Sequence, residues 1–101
     1  MRKSVFAVAV ALIGLSPPAL ASDAANGQNL ARRWCAPCHV VTTDQRRPTD
    51  EATPFHAIAH QAGFNEERLA FFLLDPHPKM PDMSLSRSEA ADLAAFIASQ
   101  K

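Results

Sequence analysis

The only two cysteines of this 101-residue chain stand two residues apart, in Trp34-Cys35-Ala36-Pro37-Cys38-His39. One pair cannot make the disulfide framework that staples many small secreted folds. It can hold a single group against the histidine that follows. Ten basic side chains balance ten acidic ones, which argues against a polybasic nucleic-acid binder. Three glycines and eight prolines are too few for a collagenous or low-complexity chain.

The start of the chain has the order of an export signal. Arg2 and Lys3 precede an uncharged apolar run over residues 5–15, Pro17 and Pro18 break it, and Ala19-Leu20-Ala21 offers small residues where a signal peptidase reads. This predicts a signal peptide over residues 1–21, cleaved after Ala21. A membrane span needs roughly 20 apolar residues, so an uncleaved anchor is the weaker alternative. The mature chain, residues 22–101, then has 80 residues with eight bases and ten acids, a net charge of −2. Its expected location is an oxidising, periplasmic compartment, and it is not expected to span the membrane. A chain this short buries a modest core and often needs a disulfide, a metal or a cofactor to complete it.

The pattern of the mature chain is helical. Only eight β-branched residues remain, and their one consecutive run is residues 40–43, so a sheet is not expected. Ala24, Gly27, Leu30, Ala31 and Trp34 recur at helical spacing and predict a first helix over residues 23–34. Residues 42–54 are polar, without apolar period, and read as a loop. Residues 55–62 place Phe55, Ile58, Ala59 and Ala62 on one face and stop at Gly63. Asn65 caps a third helix with Glu66 and Glu67 in its first turn and a body reaching Leu74, ended by Asp75-Pro76. Three prolines in residues 76–83 require an extended or turning segment. Ser86-Arg87-Ser88-Glu89 is a capping box opening a last helix that carries Leu93, Ala94, Phe96 and Ile97. The fold class is therefore all-α, with about four short helices.

Three chemistries compete for the cysteine segment. A thiol–disulfide exchange site would need a hydrophobic strand before Trp34 and a β-α-β sheet around it, and neither is present. A zinc site would need further ligands from His56, His60 or His77 with a carboxylate. The third is covalent haem attachment through C-x-x-C-H, in which the two thiols bond the haem periphery and the adjacent imidazole reaches the iron. Export favours it.

At this point the chain resembles the small bacterial class I c-type cytochromes, over nearly all of residues 22–101. The resemblance rests on the order Gly27-Gln28-Asn29-Leu30, Trp34-Cys35-Ala36-Pro37-Cys38-His39, Thr53-Pro54-Phe55, Met80-Pro81 and Leu93-Ala94-Ala95-Phe96-Ile97. It implies one monohaem domain, a cytochrome c-like bundle around one covalent haem c. Cys35 and Cys38 would form the thioethers, His39 would be the proximal iron ligand and Met80 the distal one. Met83 is the competitor for Met80, three residues closer to the last helix. The family's proximal carbonyl falls to Pro54, with Pro48 as the fallback. The family also implies that Gly27 lets the first and last helices cross closely, against a face made by Leu93, Phe96 and Ile97.

The remaining polar residues have plainer readings. His77 is expected to face solvent or a propionate, His56 and His60 to be surface histidines, and Arg46 and Arg47 to be solvated rather than paired with propionates. A six-coordinate haem has no open substrate position, so the expected act is one-electron transfer with redox proteins, not enzymatic turnover. A haem-bearing subunit of a larger periplasmic oxidoreductase is the alternative, followed by a haem enzyme or ligand sensor with a displaceable distal Met. The small net charge predicts a modest salt dependence of docking, with Lys79 a candidate contact.

Overall fold

The computed structural model describes residues 21–76 and 79–101. The expected leader, apart from Ala21, lies outside the described residues, as does His77. Four helices follow in chain order: α1 (Ala24–Trp34), α2 (Phe55–Ala59), α3 (Glu66–Leu74) and α4 (Arg87–Ala98). No strand occurs among the described residues.

Short polar side chains start three of these helices by satisfying backbone N–H groups that have no partner within the helix. The Asp23 carboxylate accepts from the Asn26 N–H at 3.1 Å, and the Asn65 side chain accepts from the Arg68 N–H at 2.8 Å. At α4 the capping box is complete. The Ser86 hydroxyl accepts from the Glu89 N–H, and the Glu89 carboxylate accepts from the Ser86 N–H, both at 3.0 Å.

The second helix is shorter than its apolar pattern suggests. It stops at Ala59, because the imidazole Nδ1–H of His60 turns back to donate to the His56 carbonyl at 2.6 Å. The next bonds, Gln61 N–H to the Ile58 carbonyl and Phe64 N–H to the Gln61 carbonyl, span three residues and tighten the chain out of the helix. Gly63 then takes φ +79°, the left-handed conformation that suits glycine, and the chain reverses toward Asn65.

Helix α4 is the spine, touching each of the other three. It buries Ala90, Leu93, Ala94, Phe96 and Ile97, joined in one core by Ala31 of α1, Phe55 of α2, Leu73 of α3, Val41 and Met83. The α1–α4 crossing is close because Gly27 has no side chain. A Cβ there would overlap the Asp92 carbonyl oxygen, and would lie 2.6 Å from the Asp92 carbonyl carbon and 2.8 Å from the Phe96 Cβ. Of the three residues expected to face Gly27, Phe96 is met, while the nearest neighbour is the main chain of Asp92.

Asp92 is the polar residue that the helical pattern does not mark as a contact. It is buried at 7% exposure, and its carboxylate accepts from the Asp23 N–H at 2.7 Å and from the Asn26 side-chain amide at 2.9 Å. It therefore ties the start of α1 to the middle of α4. Bonds to a charged acceptor contribute about 1.5–3 kcal/mol each, and their donors are costly to leave unmet. Asp92→Ala is expected to lower stability by about 2–3 kcal/mol in denaturant unfolding. A change under about 0.5 kcal/mol, the level of an ordinary surface substitution, would show that water replaces the carboxylate at no loss.

Candidate functional site

The hexapeptide is one continuation of α1. Cys35 caps that helix, its N–H donating to the Ala31 carbonyl at 2.8 Å, and the next turn is closed by Cys38 N–H and His39 N–H donating to the Cys35 carbonyl at 3.0 and 2.8 Å. Residues three and four apart on such a turn share a face. The spacing thus presents Cys35, Cys38 and His39 to the same side. All three line a cleft of about 440 Å3, with Trp34 beside them and Met80 and Met83 contributed by the segment before α4.

His39 is oriented by the main chain. Its Nδ1 lies 2.6 Å from the Thr53 carbonyl oxygen. A carbonyl only accepts, so Nδ1 carries a proton, and in the neutral imidazole that tautomer leaves the lone pair on Nε2. The expected acceptor, Pro54, is displaced by one residue, and Pro48 is not the partner either. The reason is local: Pro54 is the N-cap of α2, and its carbonyl accepts from the N–H groups of Ala57 and Ile58 at 3.0 and 3.1 Å. The carbonyl one residue earlier has no helix to serve. Phe55 packs against the imidazole at a tilt, ring centroids 5.3 Å apart, and stands edge-on to Phe96 of α4 at 6.3 Å.

The loop that delivers Thr53 is fastened to the turn it serves. Ala52 N–H donates to the Cys38 carbonyl and Phe55 N–H to the Val40 carbonyl, both at 2.9 Å. Gln45 adds a side-chain clamp. Its oxygen accepts from the Val41 N–H at 2.8 Å, while its amide nitrogen lies 3.3 Å from the Ala36 and His39 carbonyls and 3.0 Å from that of Arg47. Sequence reasoning missed Gln45, since one glutamine in a polar loop carries no signal. Arg46 and Arg47 do not line the cleft; with Arg32 they line a separate groove against Ala36 and Pro37. His56 and His60 are exposed on and beside α2, and the described residues hold no group of three or more His, Cys, Asp or Glu able to bind a metal.

Both thiols are poor nucleophiles where they stand. Burial, reinforced by the neighbouring Cys38, pushes the Cys35 thiol up to about 11. The exposed Cys38 thiol is also raised, chiefly by its hydrogen bond to Glu51, with desolvation and the Glu51 charge adding to it. A disulfide-exchange cysteine requires the opposite, a lowered pKa at a helix N-terminus, whereas Cys35 sits at a C-terminus. The donor set is instead two thiols, one imidazole with an oriented lone pair, and thioether sulfur across a cleft. That set fits a haem joined to the chain by two thioethers.

An all-helical frame holding such a set is that of a c-type cytochrome. The chain is 51% identical over 90 residues to cytochrome c-552 of Bradyrhizobium diazoefficiens, an alignment covering 89% of this chain and 86% of that protein. No family model matches, and no solved structure matches. The chain belongs to the small monohaem class I c-type cytochromes. It is a haem c electron carrier rather than an enzyme, and its haem is covalently bound. No helix among the described residues is long and apolar enough to cross a membrane.

Proposed function

We propose that this cytochrome is a periplasmic one-electron carrier whose haem is joined to Cys35 and Cys38 and ligated by His39 and Met80. The observation that carries the proposal is the Nδ1–H of His39 donated to the Thr53 carbonyl at 2.6 Å, beside two cysteines on the same face. Haem c supplies the ferric–ferrous couple. The chain's own part is to hold the imidazole in one tautomer, to keep the cleft apolar with Trp34, Pro81 and the methionines, and to change little between the two states. A hydrogen bond from the far nitrogen of a ligating imidazole fixes the ring and raises its basicity.

Two features support Met80 over Met83. Met83 is 7% exposed and packs in the core with Cys35, Phe55 and Leu93, whereas Met80 is half-buried at the cleft. Ser84 follows Met83 with φ +49°, held by its N–H donating to the Asp82 carboxylate at 2.9 Å. That turn follows Met83, which borders the cleft as a member of the core, whereas Met80 borders it half-buried.

The two methionines give the test. Ferric Met80→Ala is expected to lose the methionine–iron charge-transfer band and to show a lower potential than the parent. Met83→Ala is expected to keep the band and to lose about 2–5 kcal/mol of stability through its core cavity. A band that survives Met80→Ala would overturn the ligand assignment. The leader over residues 1–21 belongs to the same proposal, and the mass of the periplasmic holoprotein is expected to begin at Ser22.

A further inference from the structure

The loop that orients His39 closes on that residue at both of its ends. At its far end the Thr53 carbonyl oxygen lies 2.6 Å from Nδ1 of the ring. At its near end the Gln45 amide reaches the His39 carbonyl at 3.3 Å. One end thus meets the side chain of the histidine and the other its main chain.

Gln45 pins more than one atom. Its oxygen accepts from the Val41 N–H at 2.8 Å, and its amide nitrogen also lies 3.3 Å from the Ala36 carbonyl and 3.0 Å from that of Arg47. Ala36 and His39 stand in the turn that continues α1, where carbonyls at a helix end have no donor from a next turn. Among the described residues neither of these two carbonyls receives a main-chain N–H. A half-buried loop side chain takes the place of the missing helical donors. Between Gln45 and Ala52 the chain forms no helix or strand, and the bond inside that stretch, from the Glu51 N–H to the Thr49 hydroxyl, is 3.3 Å long. The path that brings Thr53 to the ring is therefore fixed from its ends, by Gln45 at one and by the Ala52 N–H on the Cys38 carbonyl at the other.

We propose that Gln45 is a positioning residue for the proximal ligand: by anchoring the start of this loop it keeps the Thr53 carbonyl against the ring Nδ1–H and so sets the reduction potential. The proposal rests on His39 ligating the haem iron. A hydrogen bond from its far nitrogen makes an imidazole the stronger donor, which favours the ferric state, and such bonds are among the levers by which a protein sets a haem potential. A loop freed at Gln45 lengthens that bond, weakens the donor and favours the ferrous state. The plainer role, a glutamine that only stabilises a loop, gives a loss of stability with no change of potential.

Gln45→Met keeps the length of the side chain and removes its bonds to the main chain. In the holoprotein it is expected to tilt the equilibrium with a reference redox couple toward the ferrous form by about tenfold, or 59 mV for one electron. The His39 Nδ1–H, followed by NMR in the ferrous protein, is expected to exchange with deuterium about tenfold faster. Asp92→Ala, which lowers stability at the α1–α4 crossing, is expected to leave the potential at the parent value. An unchanged or lowered potential in Gln45→Met, or an equal rise in Asp92→Ala, would overturn the proposal. Gln45→Glu decides the matter if Gln45→Met takes up no haem, since it keeps the acceptor for the Val41 N–H and loses the amide. Its own charge bears on the potential, so it is read by the exchange rate alone, and a rate equal to that of the parent overturns the proposal as well. Two measurements on the parent separate the failures. Absence of covalent haem in a pyridine haemochrome spectrum sinks the attachment, and His39 ring protons without a haem ring-current shift sink its ligation. Loaded, His39-ligated protein indifferent to Gln45 sinks only the role given to Gln45.

Discussion

Replacing Cys35 and Cys38 together by alanine is expected to yield a chain with no covalently bound haem and without a cooperative unfolding transition. The core explains the second part. Its buried members converge from four short helices, the longest of 12 residues, and Cys35 and Met83 stand at its border with the cleft. Isolated helices of this length are marginal in water, and a chain of about 80 residues buries too small a fraction of its surface for much reserve. A haem held as proposed would be the apolar mass that closes the remaining side. The single variants separate attachment from packing: Cys35→Ala and Cys38→Ala are each expected to keep one thioether and an intermediate stability. Acid extraction of the haem, followed by circular dichroism of the protein, reads both quantities. Haem retained covalently by the double variant would place the attachment elsewhere.

Gly27→Ala sets two effects of opposite sign against each other. Alanine is favoured over glycine inside a helix by about 1 kcal/mol. Against that, the new methyl would overlap the Asp92 carbonyl oxygen and lie 2.8 Å from the Phe96 Cβ, and the nearest obstacle is main chain that cannot rotate away. Overpacking of this kind typically costs 1–3 kcal/mol and at times more. Here it also strains the Asp92 bonds to Asp23 and Asn26, which cross the same contact. The clash is expected to win, with a net loss of about 2–3 kcal/mol and a Tm lowered by roughly 10–20 °C. Gly27→Val is expected to be worse, since it adds branching to the clash. Thermal unfolding of the holoprotein followed by haem absorbance measures the difference. A Tm at or above that of the parent for Gly27→Ala would mean that the helices separate freely.

Much of this was legible in the residues because local rules decide it. Ser86 and Glu89 announce α4, Asn65 with two glutamates announces α3, and the run from Gly27 to Trp34 has a single apolar face. The features that escaped are of two kinds, those made between segments distant in the chain and those in which one side chain bonds nearby main chain. Asp92 reads as one acid on the last helix, and only the fold brings it 2.7 Å from the Asp23 N–H, 69 residues away in sequence. Gln45 has no pattern at all, since its four partners are backbone groups that any sequence provides. The early end of α2 depended on a histidine ring folding back on its own turn, which apolar periodicity does not record.

The acceptor that orients His39 belongs to the peptide unit joining Thr53 to Pro54. Proline leaves that unit with no N–H, so its oxygen faces the imidazole without a donor on the same plane to recruit it into a helix or ladder. It is also main chain, and every residue placed at position 53 would carry the same oxygen. The control of the ring is therefore insulated from substitution at the position that exerts it. Evolution can rewrite the side chain at 53 for solvent, for a partner or for nothing, while the proton on Nδ1 keeps its place. What the histidine depends on is the path of the loop and not the side chain at position 53.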